Sequence, residues 1–218
     1  TTWTTVASYG SLASNTVNSI ETYKQRLFFG QKDTLTLWYL GPNSITGSAT
    51  SYPLGAIFRR GGAIRALGTW TLDGGNGPDD NLVVVTTAGE VAVFSGTDPA
   101  SASAWSLRGV YYIGQPLGPL CLFKFGGDLL FLTESGIFPL TKALQINYID
   151  RTLSITDTVQ AAFSAAVGLY SSSEGWQAIL QPDVPILLIN LPGYGEGRQL
   201  VMNTQSGAWT LFRSEEHT

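Results

Sequence analysis

The residues that could carry out catalysis are few in this sequence, and they are far apart. The only histidine, His217, lies next to the last residue in a polar tail, which is a poor position for holding a general base against a nucleophile. The only cysteine, Cys121, has apolar neighbours and is expected to be a buried structural thiol. A serine triad, a zinc site built from His and Cys ligands and redox chemistry are therefore not expected. We expect a protein that is not an enzyme and that needs no cofactor.

A loop rich in Asp, Asn and Gly is the one candidate for a metal site. Asp73, Asp79 and Asp80 lie in the segment DGGNGPDD, and their carboxylates are oxygen ligands of the kind that Ca²⁺ accepts. The spacing does not match an EF-hand. The same residue types are also those that a tight turn between strands requires, and that interpretation is favoured over an ion site.

The densest basic group consists of Arg59, Arg60 and Arg65, next to Phe58. Contact with phosphates is one interpretation, but the group is small compared with an extended nucleic-acid groove, and salt bridges to another subunit explain it equally well. Residues 1–65 contain six basic and two acidic residues, a net charge of +4, while the rest of the chain carries −8. Opposite charges of this kind can guide packing between copies, although an unselected distribution of solvated charges explains them equally well.

Composition places the chain among globular all-β proteins. Charged residues make up only 13% of the 218 residues, against about 25% in an ordinary soluble domain. The 25 glycines and 10 prolines separate short apolar runs, which indicates many tight turns. No apolar run approaches the roughly 20 residues of a membrane-spanning helix, and the N terminus does not resemble a signal peptide. The net charge of −4 argues against general adhesion to nucleic acid.

An imperfect repeat of strand, polar turn and strand runs along the chain. Its first strands are predicted near 26–30, 81–86, 128–133 and 185–190, and its second strands near 34–40, 90–95, 137–140 and 199–203. Further strands are predicted at 56–60, 63–67 and 105–113. Spacings of about 45 to 60 residues are compatible with three to five blades of a β-propeller, with a β-sandwich as the alternative.

One segment departs from the β pattern. Apolar residues recur at helical spacing from Ile155 to Tyr170, which predicts a helix near 155–170, and residues 154–157 resemble a capping box at its start. The sequence therefore predicts an all-β fold made of a propeller-like array of short antiparallel sheets with one helix. We expect a single propeller-like domain over residues 1–218, cut from a longer chain.

Several stretches resemble bacteriophage virion proteins. They are 57–62 (IFRRGG), 69–75 (TWTLDGG), 91–105 (VAVFSGTDPASASAW), 126–130 (GGDLL), 136–140 (GIFPL), 142–144 (KAL) and 201–209 (VMNTQSGAW). Their order also agrees with that family, and the resemblance covers most of residues 20–212. It is to the β-propeller tail nozzle proteins and the packaged-DNA stabilisation (head completion) proteins of short-tailed phages.

This resemblance implies a structural component of a phage tail or head-to-tail channel. Such a protein forms part of a homo-oligomeric ring that retains and conducts DNA, contacts other tail or portal-adaptor proteins and supports adhesion proteins. It implies location in the virion tail after synthesis in the bacterial cytoplasm, with non-specific passage of DNA and no membrane span.

The alternative is a glycan-binding or glycan-cleaving propeller that recognises a host surface. Residues 95–99 with Trp105 resemble the Asp-box turn of sialidase propellers faintly, although the interval from Asp98 to Trp105 is too long. Such a protein needs a pocket lined by aromatic residues and two converging carboxylates. Trp38, Trp70 and Trp105 are the first aromatic residues to inspect.

Overall fold

The computed structural model describes residues 8–73, 78–143, 150–181, 183–193 and 197–213. The described residues form β1 (Ser8–Tyr9), β2 (Leu12–Ala13), β3 (Val17–Tyr23), β4 (Arg26–Gln31), β5 (Thr36–Tyr39), β6 (Thr50–Pro53), β7 (Ile64–Asp73), β8 (Pro78–Thr86), β9 (Glu90–Gly96), β10 (Trp105–Tyr112), β11 (Leu122–Phe125), β12 (Asp128–Thr133), β13 (Gly136–Pro139), β14 (Gln177–Gln181), β15 (Ile186–Leu191), β16 (Arg198–Asn203) and β17 (Trp209–Arg213). The helices are α1 (Leu140–Ala143) and α2 (Gln160–Tyr170). Short 3-10 turns are present at Ser14–Thr16, Arg151–Leu153 and Asp157–Val159.

The fold is all-β and propeller-like. Apart from the small β1-β2 hairpin, the strands form four antiparallel sheets, each made of strands that are consecutive in the chain. The sheet orders are β3-β4-β5-β6, β7-β8-β9-β10, β11-β12-β13 and β14-β15-β16-β17. A series of small up-and-down sheets is the arrangement that the repeat predicts, so the predicted fold class is confirmed.

The chain divides into two compact units, Thr1–Tyr112 and Ile113–Thr218. No observation tests the prediction of one domain over 1–218, and it stays a prediction.

In the first unit, the first strands of the two sheets lie together. The amide of Asn18 donates to the carbonyl oxygen of Ile64 at 2.7 Å, and the backbone N–H of Leu67 donates to Ser19 Oγ at 3.0 Å. Polar side chains of β3 thus bond to the backbone of β7. They supply partners for backbone groups of β7 that no strand ladder between the two sheets satisfies.

An aromatic core fills the first unit. The indole of Trp105 stacks on Phe28 at 5.9 Å and on Phe94 at 5.4 Å between ring centroids. Tyr23 and Tyr52 meet the same indole edge-on. Such ring pairs stabilise a fold by more than the burial of their surface area alone. This cluster therefore holds the two sheets against each other.

In the second unit, α2 packs through a short apolar face. Phe163 is fully buried, and its ring lies 6.0 Å from that of Trp176. The indole N–H of Trp176 donates to the carbonyl oxygen of Tyr170 at 2.8 Å, which satisfies one of the last carbonyls of the helix. The helix predicted near 155–170 is confirmed by α2, which covers Gln160–Tyr170.

The repeat in the sequence corresponds to the central hairpin of each sheet. Its four apolar runs became β4, β8, β12 and β15, the second strand of each sheet, and the four segments after the turns became β5, β9, β13 and β16. Each second strand has neighbours on both sides, so it can be covered on both edges and carries a run of apolar residues. The predicted hairpins are therefore confirmed.

Two local predictions were wrong. Residues 56–60 are not a strand but a turn: the N–H groups of Ile57 and Phe58 both donate to the carbonyl oxygen of Leu54. The capping box does not form either, because the hydroxyl of Ser154 bonds to the backbone of Ile137 on β13 and no side chain caps α2. Strand edges compete for the same hydroxyl groups that cap helices.

Candidate functional site

The turn that carries Arg59 and Arg60 is fixed by a buried carboxylate. The backbone N–H of Arg59 donates to Glu90 Oε1 at 3.1 Å, and that of Arg60 donates to Glu90 Oε2 at 2.7 Å. Glu90 is the first residue of β9 and is only 5% exposed. Hydrogen bonds to an ionised acceptor are stronger than neutral ones. Together with the buried ring of Phe58, they hold this turn rigidly against the second sheet.

The two guanidinium groups on this turn face solvent. Arg59 and Arg60 are both exposed, and the guanidinium carbon of Arg60 lies 3.7 Å from the ring centroid of Tyr112. Within the described ranges, neither guanidinium forms an ion pair. Because Glu90 binds their backbone N–H groups, it does not pair with the side chains, and the turn presents two positive charges to the outside.

Arg65 has a different environment from the other two predicted arginines. It is half-buried on β7, between Ile64 and Ala66, where the register with β8 shifts. It also has an interaction of its own within the chain. The structure therefore brings Arg59 and Arg60 together as an exposed pair and gives Arg65 a separate place, so we define the arginine pair as Arg59 and Arg60.

The predicted metal ligands fall on the β7-β8 hairpin. Asp80 Oδ2 binds the ammonium group of Lys24 at 3.1 Å, and its Oδ1 accepts from the hydroxyl of Thr71 at 2.8 Å. The side chains of Asp73 and Asp79, like the whole of His217, lie outside the described residues. No cluster of three or more metal-ligating side chains is present in the part of the chain that the structure describes. The ion site stays a weak prediction.

A cleft of about 570 Å³ opens beside the β3-β4 turn, lined by Lys24, Arg26, Pro42 and the loop from Thr97 to Ala104. Arg26 forms an ion pair with Asp98 at 3.2 Å and donates to the carbonyl oxygens of Thr97 and Leu40. Arg26 and Asp98 thus pair with each other within the cleft, while Lys24 pairs with Asp80 outside its lining. Sequence reasoning did not find it, because Lys24 and Gln25 turn the chain with positive φ where a glycine or asparagine would have signalled a hairpin.

The three tryptophans chosen for a glycan pocket do not form an exposed platform. Trp70 and Trp105 are 4% and 8% exposed and belong to the interior. Trp38 is half-buried, and its indole N–H donates to Gln31 at 2.9 Å. A sugar ring needs an accessible aromatic face, which these three residues do not offer together.

No protein-family model matches the chain, and no curated protein sequence matches it. Among solved structures, it is similar to the crystal structure of a protein from Lactobacillus plantarum, with a TM-score of 0.46 and 10% identity over 93% of this chain and 56% of that one. It is also similar to the complex of the fission yeast SREBP-SCAP binding domains, with a TM-score of 0.42 and 15% identity over 94% of this chain and 51% of that one. The chain spans about half the length of these structures. In the described residues, no helix is both long enough and apolar enough to cross a bilayer.

Proposed function

We propose that this chain is a non-enzymatic structural component of a phage tail or head-to-tail channel. It forms part of a ring that retains and conducts DNA and supports adhesion proteins, and it is located in the virion. The observation that carries the proposal is the arginine pair, two exposed guanidinium groups without an ion pair among the described residues, on a turn that a buried carboxylate holds in place. The resemblance to phage virion proteins in the sequence supports the same role.

A fixed pair of arginines suits contact with another protein. Arginine is enriched at interfaces, and a group that is already held in place loses less conformational freedom on binding. The turn of Arg59 and Arg60 is anchored through backbone bonds, so its side chains approach a partner from a defined position. An acidic surface of a neighbouring subunit is the natural complement, and residues 66–218 carry a net charge of −8.

The same features suit a channel that DNA must pass through. Two guanidinium groups per copy can contact phosphates, but the net charge of −4 for the chain does not favour tight retention, which depends on many neutralised phosphates. A ring with a few arginines per copy would touch DNA without holding it.

The test is the mass of the purified protein by light scattering, with negative-stain imaging of the same sample. We expect rings of several copies. The double variant R59S/R60S should give smaller species, because the interface loses its charged contacts. The matched control is K32S/K124S. It removes two exposed positive charges elsewhere on the chain and should leave the rings intact.

Two outcomes would overturn the proposal. One is a monomer, above all a monomer that binds or cleaves surface polysaccharide, which would favour the glycan-directed alternative. The other is a ring that R59S/R60S and K32S/K124S leave equally intact, which would remove the arginine pair as its basis.

A further inference from the structure

The last strand of each sheet has only one neighbour in its sheet, and such edges invite pairing with other chains unless something protects them. Three of the four last strands have protection. β6 is four residues long and ends in Pro53, which has no N–H to donate. β10 has a bulge between Leu107 and Gly109 with Arg108 at that point. On β13, the N–H and carbonyl of Ile137 are already bonded to Ser154 and Ile155.

The fourth last strand, β17, has none of these devices. It contains neither proline nor glycine, and its register with β16 continues without a break from Trp209 to Arg213. Among the residues that the structure describes, its neighbour in the sheet is β16 alone. Its outer edge therefore presents regular strand geometry that no other described strand pairs with.

β17 also exposes large apolar side chains. Leu211 and Phe212 alternate between the two faces of the sheet, and they are 45% and 50% exposed. A last strand with apolar side chains exposed on both faces is typical of a pairing site and not of a solvated edge.

We propose that β17 pairs with β17 of a second copy of this chain, antiparallel and about a two-fold axis at Leu211. The charge pattern selects this occupant and this direction. Trp209, Leu211 and Arg213 share one face, so the antiparallel pair places each Arg213 guanidinium against the Trp209 indole of the other copy, a favourable cation–π contact. A parallel pair in register would place the two Arg213 side chains side by side, and like charges directly opposite are destabilising.

The pairing extends the sheet through two copies. Leu211 then lies opposite Leu211, and Thr210 lies opposite Phe212. The proposal goes beyond the ring function and does not rest on it, because the argument uses β17 alone. The arginine pair belongs to the other compact unit and stays available for a separate contact.

Cysteine cross-linking tests the register. Directly opposite residues in an antiparallel pair have Cβ atoms about 4.5–5.5 Å apart, so L211C should form a disulfide between copies after mild oxidation. T210C is the matched control, because residue 210 of one copy lies diagonally from residue 210 of the other, beyond the reach of a disulfide. Cys121 is buried, so the wild type should not cross-link. A negative L211C result, or equal cross-linking of T210C, would overturn the register.

The mass of the species that L211K forms in solution tests the pairing without a cross-linking reaction. A lysine at the centre of the pair should raise the dissociation constant of the two-copy contact at least about tenfold, because its charge would lose water there. L169K is the control, since Leu169 on α2 is 70% exposed. Its mass distribution should equal that of the wild type.

The two proposals fail in different ways. Rings without L211C cross-linking would support the ring function and overturn the β17 pair. Dimers that cross-link through L211C would support the β17 pair and overturn the ring. A wild-type monomer would overturn both.

Discussion

The two compact units use their large apolar side chains differently. In the first unit, Tyr23, Phe28, Tyr52, Phe94 and Trp105 contact one another in the interior. Its exposed large apolar residues, among those described, are Ile20, Ile45 and Leu107. In the second unit, the described residues of this kind are Leu120, Leu169, Ile179, Leu180, Val184, Leu211 and Phe212.

This difference separates what stabilises the chain from what the chain offers to partners. The first unit places its aromatic rings where they hold two sheets together, and it presents charge on its arginine pair. Among the described residues, the second unit has few aromatic contacts and a helix without a charged residue. Its last strand, β17, has a described neighbour on one side only. We therefore expect stability to depend most on the aromatic residues of the first unit, and association to depend on its arginine pair and on β17 of the second unit.

The strongest test of this division is W105A. Removing an indole that stacks on Phe28 and Phe94 should lower the free energy of unfolding by about 3–5 kcal/mol, measured by chemical denaturation. W105F is the matched variant. It keeps a ring and removes the indole N–H, which has no hydrogen-bond partner among the described residues, so it should cost much less. A loss below about 1 kcal/mol for W105A would break the comparison.

The next largest effect is expected at Gly96. Its φ is +118°, and a Cβ there would clash with the carbonyl oxygen of Ala104. G96A should therefore lose more than about 2 kcal/mol, through both backbone strain and displacement of the loop. Gly61 also has positive φ but nothing within 4 Å of the added atom, so G61A should cost only about 1 kcal/mol. Equal losses in thermal unfolding would show that the close approach to Ala104 does not matter.

Glu90 links the stability of the first unit to its candidate site. E90A leaves the N–H groups of Arg59 and Arg60 without their acceptor and should cost about 2 kcal/mol. E90Q keeps one acceptor oxygen and should cost about half as much. Amide hydrogen exchange at Arg59 and Arg60 should accelerate most in E90A. Unchanged exchange at both amides would contradict the role of Glu90 in fixing the turn.

Sequence patterns predicted the parts of this fold that depend on local chemistry. Apolar runs such as 82–85 and 129–132 gave the second strands, because a fully covered strand needs apolar residues on both faces. Arg59 and Arg60 were singled out from the sequence as part of the densest basic group, but the turn that carries them was not, because residues 56–60 were predicted as a strand.

The remaining features depend on residues that are distant in the chain. Glu90 binds a turn about thirty residues before it, and its place at the start of a β-branched run gives no sign of this. Ser154 does not cap the helix as predicted; its hydroxyl instead accepts from the backbone N–H of Ile137 on β13. The lack of protection on β17 becomes visible only when the four last strands are compared, because each device belongs to the sheet and not to a sequence pattern.

The smallest effects are expected at the ion pairs of Arg26 and Lys24, two cleft residues whose side chains differ in burial. The side chain of Arg26 is 13% exposed and also donates to two carbonyl oxygens, so R26M should cost about 1–2 kcal/mol by leaving these acceptors unpaired. Lys24 and Asp80 are 34% and 40% exposed, so K24M should change the free energy of unfolding by less than about 0.5 kcal/mol. Denaturation of both variants at low and high salt would check this, because the more exposed Lys24–Asp80 pair is screened more strongly than the Arg26–Asp98 pair. A larger loss for K24M than for R26M would mean that the burial of the Arg26 side chain does not decide how much its contacts stabilise the protein.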